Sequence, residues 1–127
     1  MARKIALITG ATSGIGEGCA RRFAQGGYNL IITGRNTGKL EIPKQELEEE
    51  GIQVLALAFD VRNREAARKA VDYIPETWRN IDVLINNAGL ARGLEPEYEG
   101  DFDDWDQMID TNIKGLLTVT RLIVPGM

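Results

Sequence analysis

The fold is decided by one stretch of the sequence, Thr9-Gly10-Ala11-Thr12-Ser13-Gly14-Ile15-Gly16. An apolar run at residues 5–8 precedes this stretch, and a run with helical periodicity begins near Ile15. This order predicts a strand, a tight glycine turn and the N-terminus of a helix. Backbone N–H groups and the positive end of the helix dipole then point at one spot, which favours phosphate. The stretch therefore predicts a phosphate-binding turn, the alternative being an ordinary strand-to-helix turn.

Each of the three glycines has a different predicted task. Gly10 allows the sharp exit from the strand, Gly14 lacks a Cβ so that a pyrophosphate can approach the backbone, and Gly16 lets the helix pack close to the strand. The spacing is G-x-x-x-G-x-G rather than the more common G-x-G-x-x-G. Because a strand precedes the glycines and a helix follows them, the context favours nucleotide binding.

The size and composition of the chain indicate an ordinary globular protein. Its 127 residues predict a single dinucleotide-binding domain over residues 1–127, with 43% hydrophobic and 27% charged residues. The net charge is −4 and no long run of Lys or Arg occurs, so we expect neither nucleic acid nor a membrane surface as a partner. The first apolar run is too short for a signal peptide, and no stretch is long enough to span a membrane.

The cysteine and histidine content further limits the kinds of covalent, catalytic and metal-binding chemistry that the sequence allows. Cys19 is the only cysteine, which excludes an internal disulfide and fits a cytoplasmic location. The spacing of Ile15, Cys19 and Phe23 predicts a buried helix face rather than a reactive thiol. The sequence contains no histidine, which excludes His-based catalytic triads, and we predict no metal site.

Apolar runs and helical patterns alternate along the whole chain. Strands are predicted at residues 4–9, 29–33, 52–59 and 81–85, and helices at residues 15–25, 40–50, 64–73 and from Trp105 to a stop at Pro125-Gly126. We expect the second helix to begin at Pro43, the alternative being an earlier start with a kink, and a loop at residues 90–100. Four alternations predict an α/β fold, a doubly wound Rossmann-type parallel sheet with four strands.

Ligands of such sheets bind beyond the carboxyl ends of the strands, so the residues there are expected to face one rim. These residues are Gly10, Gly34-Arg35, Asp60-Val61 and Asn86-Asn87-Ala88-Gly89. An acidic residue after the second strand would favour NAD. Arg35 stands there instead and predicts pairing with a 2′-phosphate, hence NADP over NAD, the alternative being a solvated arginine.

Two further positions suggest function. The Asp60 carboxylate could accept from an adenine amino group while the Val61 backbone reads the ring edge, the alternative being an aspartate that caps the next helix. Asn112 lies within the apolar stripe of the last helix, where an amide is costly unless it is paired. Gly115, one turn later, is unfavourable there by roughly 1 kcal/mol relative to Ala. Two such departures from local sequence preference in one helix often mark a functional site. The alternative is a helix–helix contact that requires a small residue and one polar side chain.

Four motifs in this order resemble the short-chain dehydrogenase/reductase family over the whole chain. They are the stretch from Thr9 to Gly16, Asp60-Val61, Asn86-Asn87-Ala88-Gly89 and Asn112-Ile113-Lys114-Gly115. The resemblance implies that residues 10–16 cradle the pyrophosphate, that Asp60 holds the adenine, and that residues 87–89 support the sheet and the adenosine side. It also implies that Asn112 is the catalytic asparagine, whose distorted helix turn positions a water in a proton relay. The candidate cofactor residues are Gly10, Thr12, Ser13, Gly14, Ile15, Gly16, Arg35, Asn36, Asp60, Val61, Asn87, Ala88 and Gly89.

Three segments, residues 60–64, 80–91 and 104–112, look like those of NADP-dependent 3-hydroxy acid dehydrogenases. This similarity implies an NADP-dependent oxidoreductase that interconverts a small hydroxy acid, such as serine, and a carbonyl compound. The resemblance also implies a homo-oligomer, a dimer or tetramer, in which the last helix packs against its symmetry mate.

The sequence departs from the family at its catalytic Ser and its Tyr-x-x-x-Lys pair, which lie downstream of the last helix in that family. Tyr28, Tyr73 and Tyr98 are followed four residues later by Ile32, Thr77 and Phe102, so no Tyr-x-x-x-Lys occurs here. The fourth strand would also expose an apolar edge without a fifth neighbour. We therefore expect a truncated chain that binds cofactor weakly and is inactive by itself. The alternative is a non-enzymatic nucleotide-binding module, or a subunit completed by another chain.

Overall fold

The computed structural model describes residues 3–12, 14–88 and 101–127. Its strands are β1 (Ile5–Thr9), β2 (Asn29–Gly34), β3 (Val54–Ala58) and β4 (Val83–Ile85). Its helices are α1 (Gly14–Gln25), α2 (Thr37–Glu48), α3 (Arg64–Asp72), α4 (Phe102–Ile109) and α5 (Leu116–Ile123). A π-helical turn, Asp110–Gly115, joins α4 to α5, and short 3₁₀ helices lie at Glu76–Trp78 and Val124–Gly126. The four strands form one parallel sheet, which confirms the predicted Rossmann-type α/β fold.

The sheet is covered by helices on both faces. Ala6 and Ile8 of β1 pack into a core cluster with buried alanines and leucines of α1 and α2. Ile5 and Leu7 point the other way, into a cluster that includes Ala67 of α3 and residues of α5. Because alternate side chains of a strand face opposite sides, a strand covered on both faces is apolar throughout. This burial explains the continuous apolar run that precedes the glycine turn.

The strand order is β3-β2-β1-β4, so the direction of progression reverses between β1 and β4. Such a reversal opens a crevice at the carboxyl ends of the two strands, where ligands of open α/β sheets bind. At the other end of the pair, the Ile5 amide donates to the Asp82 carboxylate at 2.9 Å, and the Asp82 amide donates to the Ile5 carbonyl at 2.8 Å. Within the described residues, β4 pairs with β1 alone.

The start of the second helix differs from its prediction. Helix α2 begins at Thr37, not at Pro43, because the Asn36 side chain accepts from the Gly38 amide at 2.8 Å and caps the helix there. Pro43 lies inside the helix, where it has no N–H to donate to the preceding turn. Leu40 lies before it and is 1% exposed, so the burial of the first turn together with the cap outweighs the cost of the proline.

Helix α1 has the predicted bounds to within one residue, but its core face is not the predicted one. Ile15 is 79% exposed, whereas Cys19 and Phe23 are half-buried against the core. The buried residues of α1 are small: Gly16, Ala20 and Ala24. The face of α1 that contacts the sheet is therefore centred one residue later than predicted, and Ile15, Cys19 and Phe23 lie on its flank.

The last helical stripe is also only partly buried. Val119 and Ile123 are in the core, but Ile109, Ile113 and Leu117 are 46%, 55% and 60% exposed. The π-helical turn explains why these predicted core residues are exposed. It has more residues per turn than an α-helix, so a stripe calculated at 3.6 residues per turn does not continue on the same face. The predicted loop at residues 90–100 lies outside the described residues. In the described part of the chain, no helix combines the length and apolarity needed to cross a membrane.

Candidate cofactor-binding site

A cleft of about 280 Å³ lies at the carboxyl ends of the strands, where the strand order reverses. Its lining residues are Gly10, Thr12, Thr33, Gly34, Arg35, Phe59, Val61, Asn87, Ala88 and Thr111. Residues from the ends of all four strands therefore meet in one place, as the sequence predicts. Of the predicted cofactor residues, the cleft brings together Gly10, Thr12, Arg35, Val61, Asn87 and Ala88.

Gly10 makes the sharp exit from β1. Its φ is +65°, a backbone conformation that favours glycine, and its amide donates to the Thr33 carbonyl at 3.1 Å. A Cβ at this position would lie 2.8 Å from the Cα of Ala88. Gly10 thus allows both the turn and the close approach of the segment that follows β4.

Gly14 begins α1 and faces open space. Its φ is +61°, and no atom of the described residues lies within 4 Å of the position that a Cβ would take. An opening beside the N-terminus of a helix suits a phosphate group, because the first N–H groups of the helix lack partners within it. Ile15, at the start of the same helix, is exposed beside this opening, and Ser13 lies outside the described residues.

Gly16 has the opposite environment. It is buried, and a Cβ there would overlap the Gly10 carbonyl oxygen and the side-chain nitrogen of Asn87. Helix α1 therefore packs directly on the end of β1, which is the task predicted for this glycine. The Asn87 amide in turn donates to the Gly10 carbonyl at 3.1 Å and completes the contact.

The buried Thr9 hydroxyl fastens the two strand ends of the crevice together. It accepts from the backbone amides of Asn87 and Ala88, each at 2.9 Å, and lies 3.5 Å from the Ile85 carbonyl, to which it donates. A hydroxyl has one donor and two acceptor positions, so all are used. Sequence reasoning assigned no separate role to Thr9, although a polar residue ending a buried strand is a usable signal. Gly89, the last residue of this predicted motif, lies outside the described residues.

Arg35 and Asn36 follow β2 but do different things. Arg35 is exposed and lines the cleft, so a cation stands at its edge. Asn36 is not among the lining residues, and its side-chain oxygen caps α2. The cleft geometry therefore supports a ligand contact for Arg35 and a capping function for Asn36.

Asp60, a predicted cofactor residue, is not among the residues that line the cleft; it lines a neighbouring groove together with Arg62, which binds its carboxylate. The Arg62 Nη2 donates to Oδ2 at 2.6 Å, Nε lies 3.0 Å from both carboxylate oxygens, and the Arg62 backbone amide donates to Oδ1 at 2.9 Å. The side chains of Arg62 and Asp60 are 30% and 29% exposed. The hydrogen bond from Arg62 lowers the pKa of Asp60, with a smaller contribution from the charge of Arg35. Asp60 is thus an oriented, ionised acceptor.

The π-helical turn closes the cleft from the side of the last helix. Thr111 lines the cleft, and Gly115 is buried with its Cβ position 2.6 Å from Cγ2 of Val61. Gly115 therefore permits contact with the loop after β3. Asn112 lies in the same turn but is exposed, so its predicted place within a buried apolar stripe is wrong. Turns of this kind occur frequently at functional sites.

Three lining residues were not predicted. Thr33 and Phe59 are the last residues of two predicted strands, so a rule that includes the terminal strand residue would have found them. The sequence does not indicate that Thr111 lines the cleft, because the position of this residue depends on the π-helical turn. Within residues 3–12, 14–88 and 101–127, no group of three or more His, Cys, Asp or Glu side chains is placed to hold a metal ion.

The family model described as short chain dehydrogenase matches residues 4–127. The chain belongs to the short-chain dehydrogenase family. The predicted resemblance to this family is confirmed, and the cleft lies at the family's predicted glycine turn.

The relatives confirm the predicted subgroup resemblance. The NADP-dependent 3-hydroxy acid dehydrogenase YdfG of Salmonella typhi is 51% identical over 123 residues, which are 97% of this chain and 48% of the relative. Serine dehydrogenase from Escherichia coli has a crystal structure with a TM-score of 0.89 and 47% identity, over 97% of this chain and 56% of that one. The closed form of serine dehydrogenase complexed with NADP+ has a TM-score of 0.86 and 48% identity, over 97% of this chain and 48% of that one. The chain spans about half the length of the curated relatives that it matches.

Proposed function

We propose that this chain is the cofactor-binding half of an NADP(H)-dependent oxidoreductase that interconverts an alcohol and a carbonyl compound. The observation that carries the proposal is the cleft itself. Gly10 and Thr12 of the glycine turn line it together with the Arg35 cation, and the Gly14 position at the start of α1 is open. The relatives named NADP-dependent support the choice of cofactor.

The residues fit a dinucleotide phosphate in the following arrangement. The turn at residues 10–16 would hold the pyrophosphate, and Arg35 would pair with the 2′-phosphate. Asp60 and Val61 would contact the adenine, while residues 87–89 would support the adenosine side. Bound NADP(H) supplies hydride exchange at its nicotinamide ring. The protein positions the cofactor and supplies the charged and polar groups that contact it.

Asn112 is proposed as the catalytic asparagine that holds a water in a proton relay. Its exposed amide lies in a π-helical turn, where carbonyl groups depart from the regular helical pattern. The 127-residue sequence contains no Tyr-x-x-x-Lys, so the tyrosine and lysine of the family's mechanism are not assigned to any residue here. We propose that the chain alone binds cofactor and does not transfer hydride.

The substrate, assembly and location belong to the same proposal. A 3-hydroxy acid such as serine is proposed from the names of the relatives. A homo-oligomer is proposed from the exposed apolar residues of the last helical segment. A cytoplasmic location is proposed because Cys19 is the only cysteine and fits a reducing compartment.

A nucleotide-binding module without activity, or a subunit completed by another chain, is the second candidate. The two candidates differ in one measurement on the full-length protein. An enzyme consumes NADPH in the presence of a 3-oxo acid, whereas a binding module retains it. Binding of NADPH without any turnover would favour the module.

The test of the cofactor proposal is a titration of the full-length protein with NADPH and NADH. We expect Arg35→Asp to weaken NADPH binding by roughly 10- to 100-fold and to change NADH binding much less, because charge-assisted hydrogen bonds contribute about 1.5–3 kcal/mol. Arg22→Asp is the matched control, since Arg22 lies on the exposed face of α1. An equal loss for both cofactors, or no loss, would contradict the phosphate contact.

A further inference from the structure

The Thr120 hydroxyl joins the last helical segment to the end of the strand that borders the cleft. It accepts from the side-chain amide of Asn86 at 2.9 Å and donates to the Leu116 carbonyl at 2.8 Å. Asn86 directly follows β4, and the next two residues, Asn87 and Ala88, line the cleft. Leu116 is the first residue of α5 and directly follows the π-helical turn. One hydroxyl therefore connects the segment after β4 to the end of that turn.

Neither helix formation nor packing requires a hydroxyl at position 120. Val119 and Ile123 of the same helix are core residues, so this side of α5 packs against apolar groups. A hydroxyl bonded to the carbonyl four residues earlier slightly destabilises a helix and often bends it. A valine side chain has the same branched shape without the hydroxyl. What the hydroxyl adds is its two hydrogen bonds, and they fix the start of α5 relative to β4.

The π-helical turn is held at a second point by Gly115. The position that a Cβ would take there lies 2.6 Å from Cγ2 of Val61, so the backbone of the turn lies against the loop after β3. Because Gly115 and Leu116 are adjacent, contacts with the ends of two different strands meet at the end of the turn. Two such points fix the rotation of the helical segment as well as its position.

We propose that Thr120 is a positioning residue for the reaction and acts through the π-helical turn. Its hydroxyl determines where Asn112, which lies in that turn, stands relative to the cleft. This inference rests on the proposed function, since it needs Asn112 to take part in proton transfer. Thr111, the neighbour of Asn112, lines the cleft, so a displacement of the turn also displaces the wall of the cleft.

The segment after β4 keeps other contacts when the Thr120 hydroxyl is removed. The backbone amides of Asn87 and Ala88 donate to the Thr9 hydroxyl, and the Asn87 side chain donates to the Gly10 carbonyl. These bonds hold the segment against β1 without Thr120, which does not itself line the cleft. Loss of the Thr120 hydroxyl is therefore expected to slow hydride transfer and to leave cofactor affinity nearly unchanged.

The test uses the full-length protein with NADPH and a 3-oxo acid. It measures the rate of hydride transfer in a single turnover and, separately, the Kd for NADPH. We expect Thr120→Val to lower the rate about tenfold with Kd changed by less than about twofold, since a misplacement of about 1 Å can cost about 100-fold in rate. Thr120→Ser keeps the hydroxyl and should restore most of the rate. Asn86→Ala removes the same contact from the other side, so the double variant should be no slower than Thr120→Val alone.

Thr118→Val is the matched control, because Thr118 lies on the same helix and lines grooves outside the cleft. The control should keep the wild-type rate. A folded Thr120→Val variant with the wild-type rate would overturn the inference, as would an equal loss in Thr118→Val or a slow Thr120→Ser. A loss of NADPH affinity that accounts for the whole effect would also overturn it.

If Thr120→Val does not fold, Asn86→Ala decides by the same rate and the same Kd. An unchanged rate in that variant overturns the inference. A wild type that binds NADPH and transfers no hydride would instead overturn the proposed function, and the inference with it.

Discussion

Two glycines of α1 differ in the space around them, and this space determines the effect of a substitution on stability. Gly16 and Gly18 both lie in α1, but a Cβ would overlap neighbouring atoms at Gly16 and meet no described atom within 4 Å at Gly18. Gly16 is therefore required by packing, and Gly18 is a helical glycine without a packing partner at that position.

We predict that Gly16→Ala lowers the free energy of unfolding by about 1–3 kcal/mol, as overpacking does. Gly18→Ala should raise it by about 0.5–1 kcal/mol, because alanine loses less backbone entropy in a helix. Urea unfolding of both variants in the full-length protein measures the difference. Equal effects of the two substitutions would contradict the packing at Gly16.

The Asp60–Arg62 pair predicts a pH dependence of stability. The pKa of Asp60 is lowered from its ordinary value of 3.8, mainly by the Arg62 hydrogen bond. A carboxyl with a lowered pKa in the folded state contributes stability above its ordinary value and loses it as the pH falls through the folded value. We expect Asp60→Asn to lower the free energy of unfolding at neutral pH by about 1 kcal/mol.

Unfolding measured at a series of pH values checks this expectation. The gap between wild type and Asp60→Asn should narrow as the pH falls below 3.8. Arg68→Ala, on the exposed surface of α3, leaves the Asp60–Arg62 pair intact and should show a gap to wild type that does not change over the same range. A constant gap for Asp60→Asn would contradict the role of the ion pair.

Sequence reasoning reached the glycines but not this pair, for a physical reason. The tasks of Gly10, Gly14 and Gly16 follow from the order of strand, turn and helix, which is visible in the sequence. The Asp60–Arg62 contact depends on a tight local turn, shown by the Arg62 amide bonded to Oδ1 of Asp60. The sequence shows two charges near each other and cannot show that the backbone folds one onto the other.

At the scale of secondary-structure elements, the end of β1 is joined to the segment after β4 by the Thr9 hydroxyl and by the Asn87 side chain, which donates to the Gly10 carbonyl. Thr9 accepts from two backbone amides there, and the Asn86 side chain donates to Thr120 of α5 at 2.9 Å. Side-chain hydrogen bonds therefore position the short β4 strand and the segment that lines the cleft. The backbone pairing of β4 covers three residues.

We predict that Thr9→Val costs about 2–3 kcal/mol of unfolding free energy, because it leaves two part-buried amide donors without their acceptor. Thr9→Ser keeps the hydroxyl and should lose less, since only a methyl group is removed. Chemical denaturation of the two variants compares them directly. Equal stability of Thr9→Val and Thr9→Ser would show that the hydroxyl does not hold the strand ends.

The order and type of the elements could be predicted because they depend on the periodicity of apolar residues. Two details could not. Helix α2 begins before Pro43 because the Asn36 cap and the burial of Leu40 together outweigh the proline, and a pattern does not weigh such energies. The π-helical turn leaves no mark in a pattern calculated at 3.6 residues per turn, so the exposure of Asn112 was missed.

At the scale of the whole molecule, the last helical segment combines exposed apolar residues with separated charges. Ile113, Leu117 and Val124 are 55%, 60% and 46% exposed. Acidic residues occupy its beginning, at Asp101, Asp103, Asp104 and Asp106, and basic residues lie near α5, at Arg64, Arg68, Lys114 and Arg121. Two copies packed antiparallel would bring the acidic end of each segment near the basic end of the other.

We predict that Leu117→Glu shifts the full-length protein from an oligomer to a monomer, because a charge would be buried at the centre of that contact. Ile42→Glu is the matched control, since Ile42 is 65% exposed on α2. Sedimentation velocity at several concentrations gives the state of each variant. A monomeric wild type, or an assembly unaffected by Leu117→Glu, would contradict this contact.

Among the features of the whole molecule, the position of the cleft was the easiest to predict from the sequence. Parallel strands bring their carboxyl ends to one edge, so Gly10, Arg35, Val61 and Asn87 had to meet once the four strands were placed. The contribution of Thr111 was inaccessible, because it comes from a helix whose distance to the sheet is set by the contact of Gly115 with Val61.

The most direct test of the account is a crystal structure of the full-length protein grown with NADPH. We predict density for the pyrophosphate against the backbone of residues 10–16 and for the 2′-phosphate within hydrogen-bonding distance of Arg35. Density at another surface, or a cleft that stays empty at saturating NADPH, would contradict the claim that this crevice binds a dinucleotide.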